Sequence, residues 1–310
     1  MAQIRDFYFD SSNSINRIHA VRWLPDSGEP AAVLLIAHGV AEHIVRYDPF
    51  AQHLAENGIA VYGNDHLGHG GSYSTDSEKG FFAEEKGWGF VVRDMHRLAD
   101  IARSEFPDVP VFLLGHSMGS FLARTYLIKY PGELDGCILS GTGWQPAAVC
   151  AMGLAVCKAE KARLGPRGRS GLVNNLCFGG YNKRIENPAT SHDWLSRDAS
   201  VVQKYVSDSD CGFICTVSQT ADMLGGIKYI CDKKNISKMD ITTPVFFISG
   251  DEDPVGGYGK GVMQTYTAFV MAGCTDVSIK LYPGGRHEML NETNRCEVYR
   301  DILAWINEKM

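Results

Sequence analysis

No apolar run in this 310-residue chain approaches the roughly 18 residues that a membrane-spanning helix requires, which points to a soluble protein. The opening Met1-Ala2-Gln3-Ile4-Arg5-Asp6 lacks the charged-then-apolar plan of a secretory signal. Cys-X-X-Cys pairs are missing too. The nine cysteines are odd in number and scattered, Cys211 and Cys215 lying closest, so neither a disulfide framework nor a four-thiolate zinc site is indicated. They read as small buried hydrophobes in a reducing compartment, which places the protein in the cytoplasm. Basic charge is short as well: 30 Lys and Arg against 36 Asp and Glu leave a net −6, with no stripe to neutralise phosphates. Nucleic acid is therefore not an expected partner, and a small molecule is. There is no internal repeat or low-complexity tract. The stretch Gly256-Gly257-Tyr258-Gly259-Lys260-Gly261 lacks phosphate-loop spacing, with Gly261 where Ser or Thr should follow the lysine, so no nucleotide site is implied.

What is present is a βα rhythm. Asp6 to Phe9 and Ile18 to Trp23 suggest an opening hairpin, and buried strands are expected at 32–37, 59–63, 111–114, 136–140, 245–249 and 277–282. Helix-like stretches at 49–57 and 89–105, and a closing amphipathic helix with Val298, Ile302 and Ile306, alternate with them. This pattern predicts a mostly parallel sheet with helices on both faces. Between Ser140 and Pro244 the rhythm stops for about a hundred residues, far beyond the usual few-residue connection. Such an insertion, rooted at the carboxyl edge of the sheet, sits over the crevice where open α/β sheets bind ligands, and reads as a cap. It carries Phe178, Tyr181, Trp194 and Tyr205, and its apolar stretch Ala147 to Cys157 is a candidate lid.

Gly115-His116-Ser117-Met118-Gly119 follows one of these strands and precedes the helical stretch 120–130, the context of a nucleophile elbow. The turn is tight enough to strain the serine backbone, and only small residues two positions either side let the chain pass. A serine hydroxyl is a poor nucleophile at neutral pH, so it needs a base, and the base needs a partner that fixes its tautomer. In α/β-hydrolases the acid and then the histidine follow on loops after later strands. Only His192 and His287 follow Ser117. His192 lies inside the insertion, where a helix N-cap or surface role suits it; His287 stands directly after the last strand in Pro283-Gly284-Gly285-Arg286-His287. The loop Gly250-Asp251-Glu252-Asp253 offers the acid. Asp253 is preferred because the loop has room by then to swing toward His287, and Asp251 is the alternative.

The oxyanion formed by attack on a carbonyl needs preorganised N–H donors. Met118, after the nucleophile, supplies one; Ala37-His38-Gly39-Val40 supplies the other through Val40 N–H, with His38 buttressing the loop. Asp65-His66-Leu67-Gly68-His69-Gly70 reads as a polar turn and not a metal site, because no further ligand follows at a recognisable spacing. Glu42 and Arg46, four apart, read as a solvated or supporting ion pair.

His38-Gly39-Val40-Ala41-Glu42-His43 with Arg46-Tyr47, Asp65 to Gly70 with Ser72, the elbow, and the Asp253 and His287 loops together resemble the monoacylglycerol lipase and lysophospholipase branch of the α/β-hydrolases. Ser120 departs from the pattern, standing where a second glycine often follows the elbow. The resemblance implies an α/β-hydrolase fold with core segments 1–143 and 236–310 and an inserted, mainly helical cap at 144–235. It also implies a serine hydrolase that cleaves carboxylic esters of monoacyl lipids through an acyl-enzyme, without a cofactor or metal. Ser117, Asp253 and His287 would be catalytic and Val40 and Met118 the oxyanion donors. The candidate lid, with Met152 and Leu154, would line an acyl tunnel or touch a membrane surface transiently. A small-ester carboxylesterase, a proline iminopeptidase and a ligand receptor with an idle triad are the competing readings.

Overall fold

The protein is described here from a computed structural model covering residues 2–26 and 28–310. Strands β3 (Ala32–Ala37), β4 (Ile59–Asn64), β5 (Val111–His116), β6 (Gly136–Ser140) and β7 (Val245–Gly250) are buried at every residue. That is why their sequences are continuous apolar runs without alternation: both faces of a parallel sheet are covered. The exposed edge strand β1 (Gln3–Asp10) and its inner neighbour β2 (Arg17–Leu24) form the opening hairpin, and β8 (Val277–Tyr282) closes the other side. The order across the sheet is β1-β2-β4-β3-β5-β6-β7-β8, antiparallel only where β1 meets β2 and β2 meets β4.

Successive side chains of each strand enter different cores. Leu34, Ile36, Phe112 and Leu114 pack with Phe50 and Leu54 of α1 (Asp48–Glu56) and with Ile302 and Ile306 of α10 (Arg295–Lys309). Val33, Leu35 and Leu113 pack instead with Leu98 of α2 (Gly87–Glu105), Leu122 of α3 (Met118–Lys129) and Phe269 of α9 (Lys260–Met271). Helices thus cover both faces, in the doubly wound plan that the alternation of elements predicts.

The connection from β6 to β7 is helical. It holds α4 (Ala147–Leu164), α5 (Gly171–Phe178), single turns of 3-10 helix at Tyr181–Arg184 and Asp193–Leu195, α6 (Ala199–Ser207), α7 (Val217–Ile230) and α8 (Lys233–Ile236). Starts are set by side-chain caps, Ser170 on Val173 N–H, Asp198 on Ser200 N–H and Thr216 on Gln219 N–H. The apolar stretch 147–157 is the first part of α4, which continues to a break at Gly165. The insertion does not build a large core of its own: Met223, Ile227 and Ile230 of α7 join the sheet's larger cluster, and only small groups such as Cys157, Val173 and Val217 lie elsewhere. Among the described residues no helix is long and apolar enough to cross a membrane, and all nine cysteines are free, six of them buried and Cys296 exposed.

Candidate active site

The tightness of the elbow is visible atom by atom. Ser117 has φ +53°, a conformation that side chains rarely adopt. A Cβ on Gly119 would lie 1.9 Å from Ala37 O, and one on Gly115 would lie 2.3 Å from Gly119 O. Both glycines are therefore demanded by close approach of the α3 start to β3 and β5. Ser117 N–H donates to Ser140 O at 2.9 Å, and Ser120 Oγ donates to Ser117 O at 2.6 Å, so the departure at residue 120 adds a bond beneath Ser117. Ser117 makes no capping bond back to α3, and its side chain lines a cavity of about 560 Å³.

His287 lines the same cavity, on the loop after β8. Its Nδ1 lies 3.0 Å from Asp253 Oδ1, and both side chains are buried. Asp253 is held by Val255 N–H at 2.8 Å and Ser249 Oγ at 3.2 Å. Asp251 is engaged elsewhere, accepting from Gly284 N–H at 2.6 Å. Of Asp251 and Asp253, the structure brings Asp253 to the imidazole. The ring lies between His116 and Trp194, with centroids 4.6 Å and 5.0 Å away. Burial opposes protonation of His287, but the charge and hydrogen bond of Asp253 outweigh it and raise its pKa above the ordinary imidazole value. Burial and the neighbouring His287 pull His116 down to about 4, so that ring is neutral.

The loop after β3 is braced from both sides. His38 Nε2 accepts from His66 N–H at 2.9 Å, so its proton sits on Nδ1 and is donated to Gly39 O at 2.7 Å. Gly39 N–H donates to Glu42 Oε1, as does Tyr47 OH at 2.9 Å. The Gly39–Val40 peptide is thereby fixed with its oxygen on the His38 side. Met118 opens α3, so its N–H is one of the donors that a helix start leaves without an intrahelical partner. Val40, Ser117 and the first turn of α3 thus border one space.

Glu42 and Arg46 form a buried pair, not a solvated one, and the pair has a third member. Arg46 donates to Glu42 and, in bidentate fashion at 2.8 Å and 2.7 Å, to Glu288, the neighbour of His287. Burial alone would raise Glu42, yet Arg46, with lesser help from His116 and His38, brings it to about 2. The Asp65 to Gly70 segment is likewise buried: Asp65 accepts from Ile44 and Gly71 N–H and pairs with His19, while burial takes His69 down to about 3.

The insertion completes the walls. Trp194 O accepts from His287 N–H and Leu195 O from Glu288 N–H, at 3.3 Å and 2.7 Å. Tyr205 lies over Arg46 at 4.8 Å and donates to Ala41 O at 2.9 Å. His192 stands at the N-cap of the turn 193–195 without a capping bond, and its ring lines the cavity against Tyr205 at 5.1 Å. A second cavity, about 390 Å³ and mostly apolar, shares Val40, Ser117, Phe178 and Trp194 with the first. Met118, Phe121, Val149, Met152, Met223 and Ile227 extend it. Met152 of the candidate lid therefore lines this space, and Leu154 is not among its lining residues.

With this geometry in view, the comparisons with known proteins are decisive for the family. The family described as "Serine aminopeptidase, S33" matches residues 28–294. The chain belongs to this family of hydrolases. A monoacylglycerol lipase of Mycolicibacterium smegmatis is 31% identical over 288 residues, covering 92% of this chain and 90% of that protein. The human monoglyceride lipase is 27% identical over 291 residues, covering 93% and 86%. A solved carboxyl esterase from Bacillus coagulans, in complex with glycerol, superposes with a TM-score of 0.91 at 30% identity and 99% coverage of both chains. The fold is that of the α/β-hydrolases. Relative to the residues expected from sequence, this member adds Glu288, Trp194, Tyr205, His116 and His192 to the site. His116 had a local signal, as the residue between Gly115 and Ser117, and Trp194 and Tyr205 had one as aromatics of the insertion.

Proposed function

We propose that this hydrolase cleaves the carboxylic ester of monoacyl lipids, monoacylglycerols foremost, with Ser117 as nucleophile, His287 as base and Asp253 as the acid that orients it. The observation that carries this reading is the position of Ser117 at the junction of an apolar branch and a branch of mixed polarity. A methylene is about the size of a water molecule's ~30 Å³ share of liquid, so the apolar branch of 390 Å³ holds a chain on the order of a dozen carbons. Asn174, Asn175, His192 and Glu288 line the other branch, which suits a small hydroxylated leaving group.

Ser117 Oγ attacks the ester carbonyl as His287 Nε2 takes its proton, a transfer favoured because Asp253 holds the opposite nitrogen. Ser117 and His287 line one cavity, and the Oγ to Nε2 hydrogen bond that the transfer needs forms as substrate binds. The tetrahedral oxyanion is received by Val40 and Met118 N–H, each donor worth about 3 kcal/mol of barrier. His287 then protonates the departing alcohol, and water repeats the sequence on the acyl-enzyme. Residues 144–235 serve as the cap over this reaction. Exposed Val149 and Met152 on α4, with Leu172 and Leu176 on α5, form an apolar rim suited to brief contact with a lipid surface. The free cysteines support a reducing, cytoplasmic location.

Labelling by a fluorophosphonate, abolished by Ser117→Ala, tests the nucleophile. A panel of monoacylglycerols, p-nitrophenyl esters and prolyl amides tests the substrate: kcat/KM should be highest for monoacylglycerols, and a preference for prolyl amides would overturn the assignment.

A further inference from the structure

Behind the wall of the mixed-polarity branch, the loop that carries Val40 meets the insertion at a second cluster of reactive side chains. His43 Nε2 lies 2.9 Å from Asp208 Oδ2, and Cys211 Sγ is near both, all three donor atoms lying within 4.8 Å of one another. An ordinary ion pair accounts for the histidine and the aspartate but leaves the thiol unexplained. Cys211 is buried, and among the described residues its side chain makes no hydrogen bond. The backbone holds the two sides at a set distance: Cys211 N–H donates to Asp208 O at 3.1 Å, and Gly212 N–H to Ala41 O at 2.9 Å. None of the three residues lines either cavity next to Ser117.

One imidazole nitrogen, one carboxylate oxygen and one thiol sulfur form a mixed donor set of the kind that suits Zn²⁺, whereas Ca²⁺ and Mg²⁺ ask for oxygens alone. Tetrahedral bonds of about 2.0–2.3 Å place neighbouring ligand atoms roughly 3.5 Å apart, a spacing that small shifts reach from a nitrogen–oxygen separation of 2.9 Å and a cluster no wider than 4.8 Å. Asp208 is 35% exposed, so water can complete the coordination from that side. The electrostatics also favour a dication. Arg46 is the positive neighbour of Cys211, but it is already bound by Glu42 and Glu288, and Asp208 adds a further negative charge.

We propose that His43, Asp208 and Cys211 bind a single Zn²⁺-class ion, which staples the insertion to the loop carrying Val40. On coordination the Cys211 thiol releases its proton to solvent, His43 Nε2 loses the proton it donates to Asp208 by exchange through water, the neutral ring then carrying its proton on Nδ1, and the His43–Asp208 hydrogen bond is replaced by two metal bonds. The inference is independent of the substrate.

The test is a titration of the whole protein, freed of metal and chelator, with Co²⁺ as a spectroscopic substitute for Zn²⁺. A saturable one-to-one thiolate-to-cobalt band is expected in the near ultraviolet, bleached by equimolar Zn²⁺. Cys211→Ser should lose it, and Cys296→Ser, at the exposed thiol, should retain it. His43→Gln, at a partly exposed position, should weaken Zn²⁺ binding by at least the tenfold or so that loss of even an outer-sphere partner causes. Zn²⁺ should also raise the unfolding temperature of the wild type by more than that of either cluster variant at the same Zn²⁺ concentration. No band in the wild type, a band that survives Cys211→Ser, or Zn²⁺ affinity unchanged by His43→Gln would each overturn the proposal.

Discussion

Arg46 ties together two loops that share no backbone hydrogen bond among the described residues, and its removal tests whether that tie sets catalytic geometry. Its guanidinium binds Glu42, whose other oxygen holds Gly39 N–H, and Glu288, which adjoins His287. Arg46→Ala leaves two buried carboxylates without their cation, a defect that costs about 3–5 kcal/mol. At an unfolding entropy of about 2.1 cal/mol/K per residue, 310 residues convert this into a fall of roughly 5–8 °C in Tm. The catalytic effect is separable. If the Gly39–Val40 peptide and the imidazole both relax by about an ångström, kcat should fall on the order of a hundredfold. Arg46→Lys keeps the charge but cannot make the bidentate bond, so it should lose less than half as much stability and about tenfold in kcat. The assays are calorimetric melting and ester turnover normalised to the fraction titrated by a fluorophosphonate. An Arg46→Ala protein that melts several degrees lower yet retains kcat within threefold of wild type would refute the positioning argument and leave the network a purely structural one.

Asp253→Asn should cost on the order of 10⁴ in kcat through loss of the productive tautomer. It should also move the acid limb of the pH profile. The Asp253 charge holds His287 above the ordinary imidazole pKa while burial pulls the other way, so wild-type activity rises with pH through that raised value, and the variant's residual activity should rise at lower pH. In stability terms the raised His287 helps folding below about pH 6.5 and that help fades as pH climbs through the folded value. Asp222 on α7 is pushed up to about 6 by burial, against the lowering effect of Lys161 and of the Trp88 and Gly87 N–H groups, so its ionisation weakens the fold as pH rises from about 4 to 6. Asp222→Asn should therefore raise Tm at pH 8 and change it little at pH 4, measured by thermal melts; an equal change at both would count against the carboxylate. Ile227→Trp narrows the apolar branch; losing room for two methylenes at ~0.8 kcal/mol each lowers kcat/KM more than about tenfold for long acyl chains, with short esters unaffected. Equal losses on both would show that Ile227 does not face the acyl chain.

The parts of the site that were legible in sequence are those whose physics is local. The glycines at 115 and 119 are written by the steric needs of a single turn, and the order of Ser117, Asp253 and His287 follows from strands that appear as plain apolar runs. The choice between Asp251 and Asp253 depended on loop register, and it is set by Gly284, whose N–H takes Asp251 from a different loop. Glu42 and Arg46 could be paired from their spacing, but Glu288 lies 242 residues from Arg46, and its presence is what makes burial of the pair tolerable.

The segment after β4 is the polar turn that its sequence suggests, and what the sequence does not show is its burial. His66 and His69 are buried because residues 66–82 pass beneath the insertion: a Cβ on Gly80 would lie 3.0 Å from the Cα of Cys215 and from the ring of Phe213. His192 reaches the cavity for a related reason, since Tyr205 and Gly212 both bind Ala41 O and fold the insertion back on the loop of β3. Ala41 accepts both bonds while itself at φ +52°, a conformation that costs an alanine free energy and persists only where its surroundings hold it. The insertion is thus one of the restraints on the loop that carries Val40, the proposed oxyanion donor. Substitutions along 205–212 should consequently appear in kcat as well as in substrate preference, although none of those residues needs to touch the acyl chain.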